Sequence, residues 1–204
     1  MKIIAVGKNY EDHALEMDSA FVKPDVPMIF MKPDSAIIKN GKHFYVPDFL
    51  GRVDYEAEIV VCINKLGKSI PARFAHRYYD AITVGIDFTA RDMQKMFMES
   101  GAPWELSKGF DGSAVLGEFR PIENYDIRNI DFSLTIDDVV AQKANSSQML
   151  FAVDEVIAYV SRFCTLKTGD LIFTGTPAGA GPARIGTHLK GYLGDDKVLD
   201  FHIR

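Results

Sequence analysis

Two glutamates two positions apart raise the first question of chemistry. They lie in Asp54-Tyr55-Glu56-Ala57-Glu58-Ile59-Val60-Val61-Cys62-Ile63, whose apolar second half reads as a buried strand. Side chains two apart on a strand point the same way, so Glu56 and Glu58 share a face with Cα atoms about 7 Å apart. Tyr55, Ala57, Ile59 and Val61 then face a core. Carboxylates aimed at one spot repel each other, and are tolerated in water, with one protonated, or with a cation between them. A wet strand face is the plain alternative for such a pair. Asp87 ends a second apolar run, Val84-Gly85-Ile86-Asp87. It can cap the helix that follows or serve as a third carboxylate. Three carboxylates with open positions suit a hard cation, Mg²⁺ or Mn²⁺.

Arg91 and Gln94 stand three apart at the start of a helix and share a face. With Lys108 they can hold a carboxylate, Arg91 bidentately and Lys108 as a point charge. His13 and Glu16 are also i, i+3; a His oriented by a carboxylate is the usual general base near neutral pH, and a surface pair is the alternative. The run Thr174-Gly175-Thr176-Pro177-Ala178-Gly179-Ala180-Gly181-Pro182 lacks the Lys of a phosphate loop. It reads as a tight turn, or as a loop whose N–H groups and Thr176 hydroxyl face a small anion. No H-E-x-x-H, Walker or G-x-S-x-G motif occurs. His43, His76, His188 and His202 have no partners at ligand spacing.

The elements that must position these residues are mostly strands. Runs at 2–6, 28–32, 55–63, 81–88, 131–136, 170–174 and 197–203 carry Val, Ile and Phe between Gly, Pro and Asp. Helical patterns are fewer: 9–16, 73–79, 89–98 with Thr89 as N-cap and Asp92 three on, and 153–163 with Val153, Val156, Ile157 and Val160 on one face. Strands and helices do not alternate, so a doubly wound sheet is excluded in favour of a mainly β, α+β fold.

With 204 residues, 47% hydrophobic and 25% charged, the chain has the composition of one globular domain. Its formal charge of −5 gives no nucleic-acid footprint. Cys62 and Cys164 sit in apolar surroundings outside any C-x-x-C and read as buried free thiols of a reducing compartment. The N-terminus reads as a first strand and no apolar run is long enough for a membrane span, so a soluble cytoplasmic protein is expected.

Taken in order, these pieces resemble the fumarylacetoacetate hydrolase family. The residues that carry the resemblance are Gly7-Lys8-Asn9-Tyr10 with His13 and Glu16; Phe30-Met31-Lys32-Pro33; Asp54-Tyr55-Glu56-Ala57-Glu58; Asp87 with Thr89-Ala90-Arg91-Asp92-Met93-Gln94; Pro103-Trp104 through Lys108-Gly109-Phe110-Asp111; and Thr165 to Asp170 leading to Thr174-Gly175-Thr176-Pro177. The resemblance spans essentially the whole chain and is closest to the small acylpyruvase and oxaloacetate decarboxylase branch. It implies one catalytic domain over 1–204, a mixed β-sandwich roll in which 1–20 form a strand and a lid helix, and a homodimer. It implies Mg²⁺ or Mn²⁺ on Glu56, Glu58 and Asp87; substrate contacts from Arg91, Gln94, Lys108 and Thr176; and a catalytic set of His13, Glu16 and Lys108. One departure is Asp137-Asp138 where the family has Asn-Gly. It is a poorer hairpin turn, and it puts the role of Gln142 in doubt.

The activity so implied is metal-dependent C–C cleavage of acylpyruvates, decarboxylation of oxaloacetate, or both, through a pyruvate enolate. An isomerase or tautomerase is the near alternative, and a non-catalytic, metal-stabilised binding protein the distant one. The partner expected is a small 2-oxo acid, with neither nucleic acid nor membrane. Phe21, Met28, Phe97 and Trp104 are candidates for the pocket's outer wall.

Overall fold

The computed structural model describes residues 1–17, 20–39 and 41–204, so positions 18 and 19 of the expected 1–20 segment lie outside it. The fold is mainly β with few helices, as expected. The largest sheet runs in the order β2 (Met28–Lys32), β1 (Ile3–Gly7), β12 (Leu171–Phe173), β5 (Ala57–Ile63), β6 (Tyr79–Asp87), β8 (Ala114–Leu116), β3 (Ile37–Lys39), with β9 (Arg120–Pro121) also on β6. Its β1–β12 and β3–β8 pairs are parallel and the others antiparallel. A four-stranded antiparallel sheet is ordered β11 (Val139–Asn145), β10 (Asp131–Ile136), β14 (His188–Leu193), β15 (Asp196–His202). A small third sheet joins β13 (Gly181–Pro182), β4 (Val53–Tyr55) and β7 (Thr89–Ala90).

Both faces of the large sheet are covered. Ile4, Val6, Ile59, Val61, Ile82 and Val84 pack into the main core, which Phe132, Leu134, Leu189, Leu199 and Phe201 of the second sheet complete. Ile3, Ala5, Phe30, Val60, Leu116 and Phe173 form a smaller cluster on the other face. Helix α5 (Val153–Val160) buries the four residues its period marked. Gly85 lies opposite Glu58 in β6; a Cβ there would come within 2.8 Å of Val60 and 2.9 Å of Phe173, so only glycine lets the strands pack at this point.

Four expectations change. The strand expected from Tyr55 to Ile63 is broken at Glu56, where the chain passes from the third sheet to the large one. The 73–79 helix shrinks to α2 (Ala72–Ala75). Thr89 does not cap a helix: it is a strand residue, and α3 (Arg91–Ser100) starts without a side-chain cap. The two cysteines are free and half-buried rather than fully buried.

Asp170 ties together the starts of the neighbouring strands β1 and β12. It is 1% exposed and accepts from the backbone N–H of Lys2 and Lys167, both at 2.8 Å, while the Lys2 ammonium lies 2.5 Å away. Burial alone would push this carboxyl up, but the Lys2 ammonium and the two N–H donors outweigh it and hold it below its usual value. A depressed carboxyl stabilises the fold above its unfolded value, about pH 4, and loses that contribution as pH falls through the folded value. Asp170→Asn is therefore expected to destabilise by about 2–3 kcal/mol near neutral pH, with the gap to wild type closing towards pH ~3. Urea unfolding at the two pH values measures this.

Candidate active site

Glu56, Glu58 and Asp87 each offer an oxygen, and these lie within 4.8 Å of one another. Their convergence comes from the sheet. Glu58 lies on the same face of β5 as Val60, Asp87 ends the neighbouring strand, and Glu56 stands at the crossing, its carbonyl accepting from Asp87 N at 2.8 Å. All three are at most 4% exposed. This face is dry, so the wet alternative fails.

Buried charge demands partners, and the structure supplies them. Lys108, at the end of the short helix α4 (Glu105–Lys108), places Nζ 2.7 Å from Glu56 Oε2, 2.9 Å from Asp87 Oδ2 and 2.6 Å from Thr89 Oγ1. Arg91 donates to Glu56 Oε1 at 2.5 Å, Asp54 Oδ2 at 2.9 Å and Gln94 Oε1 at 2.7 Å. Lys32 Nζ lies 2.7 Å from Asp87 Oδ1, without hydrogen-bond alignment, and donates to Ser113 O, Ser113 Oγ and Lys108 O.

The two glutamates are driven in opposite directions. Burial would raise Glu56, but Lys108, Arg91 and His13 outweigh it and hold this carboxyl well below the usual range. Glu58 is raised by burial, then by Asp87 and Glu56; Lys108 and a 2.7 Å bond from Gly175 N offset this only in part. Burial would lower Lys108, but Asp87 and Glu56 keep it an ammonium. Lys32 is lowered by burial, which Asp87 only partly opposes. An all-oxygen donor set with one carboxyl held up by like charge fits a hard divalent cation.

The segment expected to be a lid lies over this floor. Helix α1 (Glu11–Met17) carries His13, 6% exposed, with Nδ1 3.5 Å from Glu16 Oε2 but no aligned hydrogen bond. Glu16 in turn accepts from Gly179 N, 3.3 Å from each oxygen. Burial lowers the His13 imidazole; Glu56 opposes this, and Arg91 and Lys108 add to it. His13, Glu56, Arg91, Gln94 and Lys108 border one cavity of about 40 Å³, room for a few waters at most. Of the expected wall residues Trp104 lines it, together with Met17, Phe30 and Met98. A hollow of about 260 Å³ at Tyr79, Arg128 and Asp154 is larger, but among the described residues no ligating cluster borders it.

Thr176 is buried beside the site rather than on that cavity's wall: its hydroxyl accepts from Gln142 Nε2 at 2.8 Å. Gln142 also donates to Pro177 O at 2.9 Å, and its Oε1 accepts from Ala57 N at 2.9 Å. Gln142 thus has a structural role despite the altered turn, tying Ala57 to Thr176 and Pro177. Asp137 and Asp138 adopt φ of 49° and 66°, the left-handed pair that a two-residue hairpin requires, so Asp-Asp makes the turn despite its poorer propensity. Asn9 fixes the other end of the glycine-rich loop, donating to Thr174 O at 2.7 Å and Phe151 O at 3.0 Å. Gly175 (φ 95°) could not carry a Cβ, which would sit 2.6 Å from that of Asn9. Lys32 and Asp54 had no role assigned from sequence. The signal for Lys32 is a charge alternating with Phe30 on one face of an otherwise apolar strand.

A buried carboxylate triad that could hold a metal ion, paired with buried lysines and overlain by a His-bearing helix, has the make-up of an enzyme site. The chain belongs to the fumarylacetoacetate hydrolase family: the family described as Fumarylacetoacetate (FAA) hydrolase C-terminal matches residues 2–204. It is 36% identical over 205 residues to a mitochondrial oxaloacetate decarboxylase of Dictyostelium discoideum, covering 99% of this chain and 93% of that protein. It is 37% identical over 189 residues to a mitochondrial oxaloacetate tautomerase of Arabidopsis thaliana, covering 92% of this chain and 84% of that one. The fumarylpyruvate hydrolase of Pseudomonas aeruginosa, solved with Mn²⁺ and pyruvate, superposes with a TM-score of 0.90 at 33% identity, covering 100% of this chain and 89% of that one. Among the described residues, no helix is long and apolar enough to cross a membrane.

Glu58→Gln keeps the shape and removes one ionisable ligand. It is expected to weaken Mn²⁺ and Mg²⁺ binding at least tenfold by titration calorimetry while the apo fold persists. Unchanged affinity would remove Glu58 from the ligand set. Gln142→Ala strands the buried Ala57 N–H and is expected to destabilise by about 1–3 kcal/mol in denaturant unfolding.

Proposed function

We propose that the protein is a Mg²⁺- or Mn²⁺-dependent enzyme of small 2-oxo acids. It cleaves the C–C bond of acylpyruvates, decarboxylates oxaloacetate, or does both through a pyruvate enolate. The observation that supports this most is the placing of His13, depressed and so neutral near pH 7, on the same closed cavity as Glu56, Arg91 and Lys108. Glu56, Glu58 and Asp87 would hold the cation, which when bound supplies a Lewis acid for the 2-oxo acid and for the charge of the enolate.

The chain's own groups do the rest. Arg91, held by Asp54, Gln94 and Glu56, offers the substrate carboxylate a fixed guanidinium. Thr176, held by Gln142, offers a hydroxyl at the site's edge. Neutral His13 takes a proton from the water that attacks the distal carbonyl, and Glu16 favours the imidazolium so formed. The C–C bond breaks, the electron pair goes to the pyruvate enolate, and the Lys108 ammonium donates to its oxygen. Burial of this ammonium among carboxylates keeps it charged for that step. Loss of CO₂ from oxaloacetate gives the same enolate and needs no attacking water.

Keto–enol tautomerisation is the second reading, supported by the similarity to an oxaloacetate tautomerase. It uses the same residues for proton transfer alone. A binding protein has no need of a buried His13 over the carboxylates. The proposal includes a homodimer in a cytoplasmic setting, which sedimentation and localisation of a tagged chain test; the partners remain small 2-oxo acids, with neither nucleic acid nor membrane.

Pyruvate is expected from acetylpyruvate, from oxaloacetate, or from both with Mg²⁺, and from neither with excess chelator. His13→Ala is expected to lower kcat for hydrolysis about 100-fold or more, and decarboxylation much less. Equal losses on the two substrates would count against water activation. Rapid enol–keto conversion without pyruvate from either substrate would replace the hydrolase reading with the tautomerase one.

A further inference from the structure

We propose that the end of the molecule remote from the active site is a docking surface for an acidic segment of another protein, one that carries an apolar side chain among its carboxylates.

The surface is built from two stretches, 64–79 and 156–169. Together they hold six cations, Lys65, Lys68, Arg73, Arg77, Arg162 and Lys167, and no Asp or Glu, in a chain whose formal charge is −5. All six are exposed. The fold sets the two stretches side by side. Gly67 and Leu166 exchange backbone bonds at 3.0 and 2.8 Å, Ser69 N donates to Ser161 O at 2.8 Å, and Lys68 Nζ donates to Arg162 O at 3.1 Å. Among the described residues none of the six cations forms an ion pair, whereas Lys95, Arg120, Lys190 and Lys197, exposed or half-buried elsewhere, each meet a carboxylate. The carboxylates next in sequence are engaged elsewhere: Asp154 by Arg128 and Tyr79, Glu155 by Ala152 N–H, and Asp170 by Lys2. Like charges gathered without counter-charge repel one another, and an anionic partner relieves that repulsion.

Apolar groups stand exposed among these cations. Leu66, between Lys65 and Lys68, is 67% exposed, and Phe163, next to Arg162, is 69% exposed. The Phe163 ring meets Tyr159 at 5.2 Å, at the side of a shallow trough of about 450 Å³ lined by Ile70, Pro71, Glu155, Ala158, Tyr159 and Arg162. Arginine and aromatic groups around an apolar recess have the composition of a protein-binding surface. The recess takes a side chain, which the face of a bilayer does not offer. Nucleic-acid bases would need free ring faces, yet Lys65 lies over Tyr78 at 4.6 Å, and Arg73 and Arg77 lie over Phe74 at 4.7 and 5.0 Å. A second copy is no match either, since two-fold pairing of this face with itself sets six cations against six. Strands β5 and β6 separate this end from the carboxylates, Ile63 from Glu58 and Tyr79 from Asp87, by roughly 20 Å at the strand rise, so a docked segment leaves the helix over the cavity free.

Fluorescence anisotropy with the full chain tests this. The probe is a short labelled peptide rich in Glu and Asp, with a Phe and a Leu at its centre; its comparator carries Gln and Asn in place of the acids. The acidic peptide is expected to bind at least about tenfold more tightly at low salt, with the gap narrowing as salt rises. Arg73→Gln combined with Arg162→Gln is expected to erase most of that preference, and Phe163→Ser to weaken binding of the acidic peptide several-fold. Lys42→Glu combined with Lys197→Glu, outside the surface, leaves both unchanged. Equal binding of the two peptides, or a preference that survives the arginine and Phe163 variants, overturns the surface. Vesicles of phosphatidylserine and phosphatidylcholine, and an oligothymidylate, are titrated in parallel. Tighter binding of either, lost in the same variants, overturns the assignment to a protein segment.

Discussion

Everything at this site follows from placing charge where water does not reach. Glu56, Glu58, Asp87 and Asp54 are all buried, and so are Lys32 and Lys108. Removing one partner from a buried pair costs about 3–5 kcal/mol, because the charge left behind is uncompensated. Each strand and helix that ends here is therefore constrained by a charge on another. Lys32 from β2 answers Asp87 from β6; Lys108 from α4 answers both Asp87 and Glu56. Glu58 is the exception: Lys108 and the Gly175 N–H answer it only in part, and its carboxyl is raised. Burial first, then the like charges of Asp87 and Glu56, hold it up, and a hard cation there would relieve both. Stability and metal binding are then two aspects of one balance, and truncating a charge at this site would disturb both.

The roof obeys a looser rule than the floor. Floor contacts are short and buried, between 2.5 and 2.9 Å for the Arg91 and Lys108 bonds. The lid is tied to the glycine-rich loop by Glu16, nearly half exposed, through 3.3 Å contacts to Gly179. Solvent-exposed, long hydrogen bonds mark the low-stability end of a structure. A cavity of about 40 Å³ has no room for a 2-oxo acid, and helix α1 is the side of it with the loosest ties. His13 rides on that helix, so opening there would move the base with it.

How much was legible in the sequence depended on the kind of signal. Period-2 reading brought Glu56 and Glu58 to one face, yet for a single strand that does not exist; the chain changes sheets at Glu56, and side-chain alternation carries no mark of such a crossing. The order of blocks along the chain located the triad and its cations more surely than any one spacing. Lys32 was visible but silent, since a lysine in a short strand is usually solvated. Val139–Asn145 and His188–Leu193 were missed as strands because their outer faces carry lysines, histidine and exposed valines, which weaken the apolar pattern. Gln142 was undervalued on turn propensity alone. Tertiary pairing of β10 with β14 and of β14 with β15 holds the hairpin whatever its turn prefers.

The inner residues do not choose among the reactions open to this family. Hydrolysis, decarboxylation and tautomerisation share one enolate, and on the proposed reading Glu56, Glu58, Asp87, Arg91 and Lys108 would act on the part of the substrate common to all three. Discrimination must come from groups that meet the distal half, His13 among them through what it deprotonates: only hydrolysis needs it to take a proton from water, so its neutral imidazole weighs on reaction type while the floor weighs on the shared enolate.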